Sequence, residues 1–264
     1  MIRIPQRPSK PRQQGRSQIL DRGMDLQAFS AMLADHHSSI DLIKFGWGTA
    51  LITPQIRSKV AQCRAASIEP ILGGTLFEYC MLTDQYAEFL GLLDALELQA
   101  VEVSNGCERL DQSQIHSCIK DLARQRQVFL EIGSKDAQAA DGMDLQMWID
   151  QIEAGLQVGA QTIILEARES GQSGYCNHQG LPRPGFCEAF TQRFGLEPLM
   201  FEAPSRNLQA SLIRQFGAEV SLANIAPADV IGLETLRLGL RFDTLAQVPL
   251  PSSAPATQPC LLQP

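Results

Sequence analysis

Apolar residues along this chain fall into short runs separated by amphipathic stretches, and several runs carry a charge near their end. Glutamates stand in Ala100–Val103 (Glu102), Val128–Glu131, Ile163–Glu166 and Leu199–Glu202, and a fifth run, Ile40–Phe45, carries Lys44 at the matching place. Runs this apolar predict strands buried on both faces. The pattern predicts strands at Ser17–Asp21, Ile40–Phe45, Glu69–Gly73, Ala100–Ser104, Val128–Ile132, Thr162–Glu166, Leu199–Glu202 and Glu219–Leu222. Helical periodicity lies between them. Leu26, Phe29, Met32 and Leu33 share a face of Met24–Ala34, as do Leu145, Trp148, Ile149, Ile152 and Leu156 of Asp144–Val158. Thr53-Pro54 predicts a helix start with threonine as cap, and Pro227 opens the last helix in the same way.

Strand and helix alternating eight times predict a parallel α/β sheet, closed as a single-domain (β/α)8 TIM barrel over residues 17–245. A charge at the end of a buried strand is costly unless it is paired or holds a metal. Its recurrence at about one strand-plus-helix unit predicts one charged mouth, at the carboxyl ends of the strands where such barrels do their chemistry.

Composition narrows the partners. The chain has 264 residues, 44% of them hydrophobic, enough for one large core. A net charge of -7 argues against a nucleic-acid partner. Seven scattered cysteines form no disulfide framework and point to a reducing cytoplasm. No apolar stretch approaches the roughly 18 residues that span a membrane. Residues 1–16 hold Arg3, Arg7, Lys10, Arg12 and Arg16 and no acid, a basic N-terminal extension. Pro5, Pro8 and Pro11 argue against the amphipathic helix of a transit peptide. Residues 246–264 read as a disordered tail rich in proline. Cys176, His178 and Cys187 lack the spacing of a zinc site. His36-His37 suit the end of a helix, and Trp47 is expected either to wall the pocket or to pack.

The charged ends sit in segments with a recognisable cast: Lys44–Thr49, Gly73–Glu78, Val101–Gly106, Glu131–Lys135, Glu166–Gly171, Phe201–Pro204 and Leu233–Arg241. In collinear order from about Lys10 to about Asp243, these resemble the phosphosulfolactate synthase family. The resemblance implies a (β/α)8 barrel, dependence on Mg2+, addition of sulfite to phosphoenolpyruvate giving (2R)-phospho-3-sulfolactate, and a homo-oligomer. The family includes enzymes of coenzyme M biosynthesis and plant heat-stress-associated homologues.

That chemistry sets expectations for residues. Two small anionic substrates must be held against their mutual repulsion, charge building on a carboxylate must be stabilised by a divalent cation, and a proton must be delivered. The expected metal ligands are Glu102, Glu131, Glu166, Glu202 and Asp21, with Glu102 and Glu131 foremost. Magnesium takes one or two protein carboxylates beside water and substrate oxygens, so some of these acids must instead pair with bases. Lys135, in the turn after Glu131, is the expected general acid, and Lys44 a catalytic anion-binding group. Arg168, two residues beyond Glu166, is expected to bind sulfite or the substrate carboxylate. Phosphate is expected at the loops after strands seven and eight, near Ser205, Arg206 and Asn224, with Gly73 and Gly74 allowing close backbone approach.

Three positions depart from the family pattern. The eighth strand of the family reads Asn-Leu-Gly-Asn-Ile, against Ser221-Leu-Ala223-Asn224-Ile225 here, and Phe242 replaces a glycine. A methyl at Ala223 is expected to narrow the approach to phosphate. Two alternatives follow: a related lyase using another nucleophile, or a non-catalytic stress or interaction protein on the same barrel.

Overall fold

The computed structural model describes residues 2–134 and 142–247, and the backbone of 258–259, which pairs with Arg3–Ile4. The barrel strands are β1 (Ser17–Asp21), β2 (Leu42–Phe45), β3 (Glu69–Leu72), β4 (Ala100–Val103), β5 (Gln127–Ile132), β6 (Thr162–Leu165), β7 (Leu199–Glu202) and β8 (Leu222–Ile225). The helices are α1 (Leu26–His36), α2 (Ile56–Ala65), α3 (Gly74–Leu82), α4 (Tyr86–Ala95), α5 (Gln112–Leu122), α6 (Leu145–Val158), α7 (Phe186–Phe194), α8 (Arg206–Phe216), α9 (Val230–Arg237) and the short α10 (Phe242–Leu245). Parallel ladders join the strands in the order β3-β2-β1-β8-β7-β6-β5-β4, and β4 lies beside β3 across the remaining seam. The chain therefore forms the expected (β/α)8 barrel, nearly closed and a single domain. Among the described residues no helix is long and apolar enough to cross a membrane.

The two-residue period of a strand sorts side chains into two cores. Ile19, Ile43, Val101, Leu130, Ile163 and Phe201 face outward and pack under the helices. Leu42, Ile71, Ala100, Phe129, Ile164, Met200 and Ala223 face inward and form a separate apolar layer inside the barrel. Two residues further along β2, β4, β5 and β7, the same inward parity brings Lys44, Glu102, Glu131 and Glu202 above that layer. Glu166 follows Ile164 in the same way. The charged ends of the apolar runs thus share one floor.

Asp21 has the opposite parity. Like Ile19 it faces outward, where its Oδ2 accepts from Lys59 Nζ of α2 at 2.6 Å and its Oδ1 accepts from the N–H groups of Gly23 and Met24 at 2.8 and 2.7 Å. Both side chains are buried, and the Lys59 ammonium lies 5.0 Å from the centre of the Phe29 ring. The expectation that Asp21 joins the charged mouth is corrected by this parity: it pins the first βα loop to α2.

Local details adjust two boundaries. The eighth strand lies at Leu222–Ile225 and not at Glu219–Leu222, because Gly217 turns the chain at φ +85° and Glu219 stays outside, 4.0 Å from Arg7. Helix α2 begins at Ile56, and Thr53 does not cap it: its hydroxyl donates to the Thr49 carbonyl at 2.8 Å. Asp25 and Asp144 do cap α1 and α6, accepting from Ala28 and Met147 N–H.

The basic segment, described over residues 2–16, does not stand apart from the barrel. It runs beneath the amino ends of the strands and is tied there by ion pairs. Arg12 meets Asp41 at 3.0 Å and donates to the Pro8 and Ser38 carbonyls, and Arg7 meets Glu234 at 2.7 Å. The tail expectation falls, apart from 246–247 and the backbone of 258–259, outside the described residues.

Replacing Lys59 with Met leaves the Asp21 carboxylate buried without its counter-charge. Breaking such a pair from one side costs about 3 to 5 kcal/mol. Urea unfolding should show a loss of that order, whereas exposed Arg124→Ala, whose pair with Asp121 is solvated, should stay within about 0.5 kcal/mol.

Candidate active site

At the carboxyl ends of the strands lies a cavity of about 270 Å³ whose walls include Lys44, Gly73, Gly74, Glu102, Glu131, Glu166, Arg168, Glu202 and Asn224. Nine residues singled out along the sequence thus meet in one small space. Lys44 stands at its centre, with Nζ 3.0 Å from Glu102 Oε2, 3.4 Å from Glu131 Oε2 and 3.7 Å from Glu202 Oε1. Burial opposes the charge on this ammonium, but the three carboxylates more than offset it and raise the lysine's pKa above its ordinary value. Lys44 therefore stays protonated. Two of its N–H groups donate to Glu102 and Glu131 at 3.2 and 3.4 Å, so it holds these acids together.

Each glutamate has distinct support. Glu102 Oε1 accepts from the Gly74 N–H at 2.7 Å, at the start of α3. Burial raises its pKa and Lys44 opposes the rise. Glu202 Oε2 accepts from the Ala167 N–H at 3.0 Å, and its Oε1 accepts from the Asn224 amide. Burial and the neighbouring charge of Glu131 push Glu202 up to about 7 despite Lys44. Glu166 Oε1 accepts from the Arg168 N–H at 3.2 Å.

Glu131, Glu166 and Glu202, all buried, place a carboxylate oxygen each within 4.8 Å of one another. Glu102 lies outside this trio, turned toward Lys44 and Gly74, so the sequence-based preference for Glu102 and Glu131 becomes a grouping of Glu131 with Glu166 and Glu202. The donor set fits a hard divalent cation. It consists of oxygens, it carries more negative charge than one ammonium balances, and the buried Asn224 Oδ1 beside it has no hydrogen-bond partner among the described residues. The Cys176, His178 and Cys187 stretch forms no such donor group among the described residues.

Glycines make the cavity geometrically feasible. A Cβ on Gly74 would collide with the Ser104 side chain, and one on Gly133 would lie 2.5 Å from Glu166 Cβ. The expected close approach at Gly74 is thus to Ser104, and Gly73 lies under the Phe45 carbonyl and the Lys44 stem. Gly174 abuts the Glu166 carbonyl, which holds the long loop after β6 against the end of that strand; Tyr175 donates its hydroxyl to the Glu202 carbonyl at 2.6 Å.

Arg168 lines the cavity in a left-handed backbone conformation, φ +61°, and its side chain makes no hydrogen bond or ion pair among the described residues. Arg22, not anticipated from the sequence, stands over the Trp47 ring at 5.5 Å and 3.7 Å from Glu169. It lines an adjoining hollow of about 210 Å³ with Glu169, Pro204, Asn224 and Ala226, where the loops after β7 and β8 open. Its position directly after β1 was the available signal. Ser205 and Arg206 do not line either hollow. The Ser205 hydroxyl caps α8, accepting from Leu208 N–H, and Arg206 is exposed. Lys135 lies outside the described residues.

None of the family departures touches the cavity. The Ala223 methyl sits in the inward apolar layer, below the charged floor. The Ser221 hydroxyl accepts from the Arg16 N–H at 3.2 Å, at the opposite end of the barrel, and Phe242 is 93% exposed. The expectation that Ala223 narrows a phosphate site is not what its placement gives.

Comparison with known proteins agrees with this geometry. The family model of (2R)-phospho-3-sulfolactate synthase (ComA) matches residues 5–243. The chain is 36% identical over 244 residues to the phosphosulfolactate synthase of Bacillus subtilis, covering 92% of this chain and 97% of that protein. It is 33% identical over 250 residues to the phosphosulfolactate synthase of Methanothermobacter thermautotrophicus, covering 93% and 97%. Among solved structures, 3-keto-L-gulonate-6-phosphate decarboxylase from Vibrio cholerae shares the barrel with a TM-score of 0.54 at 13% identity, covering 85% of this chain and 95% of that one.

The raised pKa of Glu202 fixes a sign. The folded protein keeps this proton up to about pH 7, whereas the unfolded chain releases it in the usual carboxylate range, so ionisation opposes folding across that interval. With divalent ions chelated, stability should fall as pH rises from about 5 to 8. Glu202→Gln should flatten this fall, as read from urea midpoints at each pH.

Proposed function

The chain belongs to the (2R)-phospho-3-sulfolactate synthase family, and on that premise we propose that it adds sulfite to phosphoenolpyruvate at this mouth, with Mg2+, as a carbon–sulfur lyase. The carrying observation is the buried trio Glu131, Glu166 and Glu202 gathered beside a single buried ammonium. Such a floor is too negative to receive two anions by itself. Magnesium held by these glutamates, with Asn224 Oδ1 as a neighbouring oxygen, would supply Lewis-acid stabilisation of charge on the substrate carboxylate.

The remaining work falls to the chain's own residues. The lone pair on sulfite sulfur forms the new bond to the methylene carbon, the alkene electrons pass toward the carboxylate, and a proton is then added at the adjacent carbon; the phosphate ester stays intact. Arg168, whose guanidinium has no partner among the described residues, is assigned to an anionic group of substrate or nucleophile. Arg22 and the loops after β7 and β8 are assigned to the phosphate, in the place where barrels of this class commonly bind it. Lys44 positions Glu102, Glu131 and Glu202 as a unit. Lys135, four residues beyond Glu131 in the sequence, is assigned the proton donor. The cavity of about 270 Å³ suits a three-carbon substrate. The buried thiols of Cys63, Cys80, Cys118, Cys176 and Cys187 support work in a reducing cytoplasm.

Incubation with phosphoenolpyruvate, sulfite and magnesium should yield phosphosulfolactate, detected by mass spectrometry, with the product absent when any one component is omitted or EDTA is added. Absence of sulfite-dependent product would refute the assignment. Lys44→Met should lower kcat at least about 100-fold, because three carboxylates lose their common counter-charge. Magnesium should raise the melting temperature more at pH 8 than at pH 5.5, since protons compete for the same oxygens, and Glu131→Gln should remove most of that shift.

A further inference from the structure

A hollow of about 610 Å³ lies not at the charged mouth but at the other pole, beneath the amino ends of the strands. Its walls combine the basic segment with strand starts. Lys10, Arg12, Arg16 and Arg126 face Asp41 and Glu69 across it. Two of the four cations are matched. Arg12 is paired with Asp41 at 3.0 Å, and Arg126 with Asp94 while it also donates to the Leu98 carbonyl.

The other two are not. Arg16 has no carboxylate within 4 Å among the described residues. It donates to the Thr162 hydroxyl at 3.0 Å and lies 5.5 Å above the Phe129 ring of the inward apolar layer. Its Nε is buried and has no hydrogen-bond partner among the described residues. Burial lowers its pKa, opposed only by the more distant charges of Asp41 and Glu197. Lys10 donates to the His37 and Ala66 carbonyls at 2.9 and 3.2 Å, which leaves one of its three N–H groups uncommitted. A purely structural arginine in this segment looks like Arg12, with a carboxylate and two carbonyls. Arg16 instead lines the polar hollow with no carboxylate partner among the described residues, and an incoming oxyanion would supply the missing counter-charge.

We propose that the amino-terminal pole of the barrel is a second anion-binding site, for phosphate or a phosphate monoester, held by Arg16 and Lys10. It is separate from the mouth by the full length of the strands and by the inward apolar layer. Because Lys10 and Arg16 bracket the tie of residues 10–16 to the barrel, a bound anion would fasten that segment to the strand starts.

Calorimetric titration of the full-length protein with inorganic phosphate, at constant ionic strength and with divalent ions chelated, tests this. Arg16→Gln should weaken phosphate binding at least 10-fold and Lys10→Gln several-fold. Arg22→Gln, in the hollow assigned to phosphate at the mouth, should leave that isotherm in place. Lys10 lies on the surface strap, so its variant keeps the test decisive if Arg16→Gln does not fold by circular dichroism. Unchanged affinity in Lys10→Gln, wild-type binding in a folded Arg16→Gln, or a phosphate isotherm lost only in Arg22→Gln would each overturn the proposal. The last outcome concerns the mouth alone and leaves the reading of its chemistry standing.

Discussion

One buried ammonium constrains the working end of this molecule. Lys44 lies inside the barrel within 3.7 Å of three carboxylates, and none of the four groups is solvated enough to be stable by itself. The arrangement holds because each partner is supplied by a different strand. A shift of any one strand by a single residue would turn its charge outward into the helix layer and leave the others uncompensated. The charge set and the register of the barrel therefore specify each other. With one base for several acids the balance is incomplete, and the deficit is what suits the mouth to a cation and to anionic ligands arriving with it.

The barrel separates duties along its axis. The carboxyl end carries the glutamate floor and the loops that wall it. The inward apolar layer below, from Leu42 to Ala223, insulates that floor from the other pole. At the amino end, the basic segment and its ion pairs tie the chain start to the strand starts. Outward-facing pairs such as Asp21 with Lys59 fasten loops to helices without entering the site. Residues of similar chemistry thus do different work according to strand parity and pole.

Relatedness and geometry bear on different questions. Identity of 32 to 36% along almost the whole chain places the protein in its family, whereas barrels at 13% identity speak only to the fold. The substitutions that set this chain apart, Ser221, Ala223 and Phe242, lie in the lower core, at the amino pole and on the surface. They leave the floor untouched, so they give no reason to expect altered chemistry at the mouth.

The sequence by itself determined the barrel, its strand count and the identity of the charged floor, because apolar runs, helical periodicity and charged run ends are local signals with fixed periods. It also held the answer for Asp21, whose spacing from Ile19 places it with the outward residues. Tertiary structure decided the rest. Which carboxylates gather as a trio, that Lys44 pairs with three of the glutamates and that Arg22 stands over Trp47 all depend on distances between strands and loops far apart in the chain. Nor does the run of basic residues at the start disclose that it folds under the barrel, since an ion pair requires a partner position that only closure of the strands supplies. Parity along a strand is written in the order of residues; proximity across a barrel is created when the strands close.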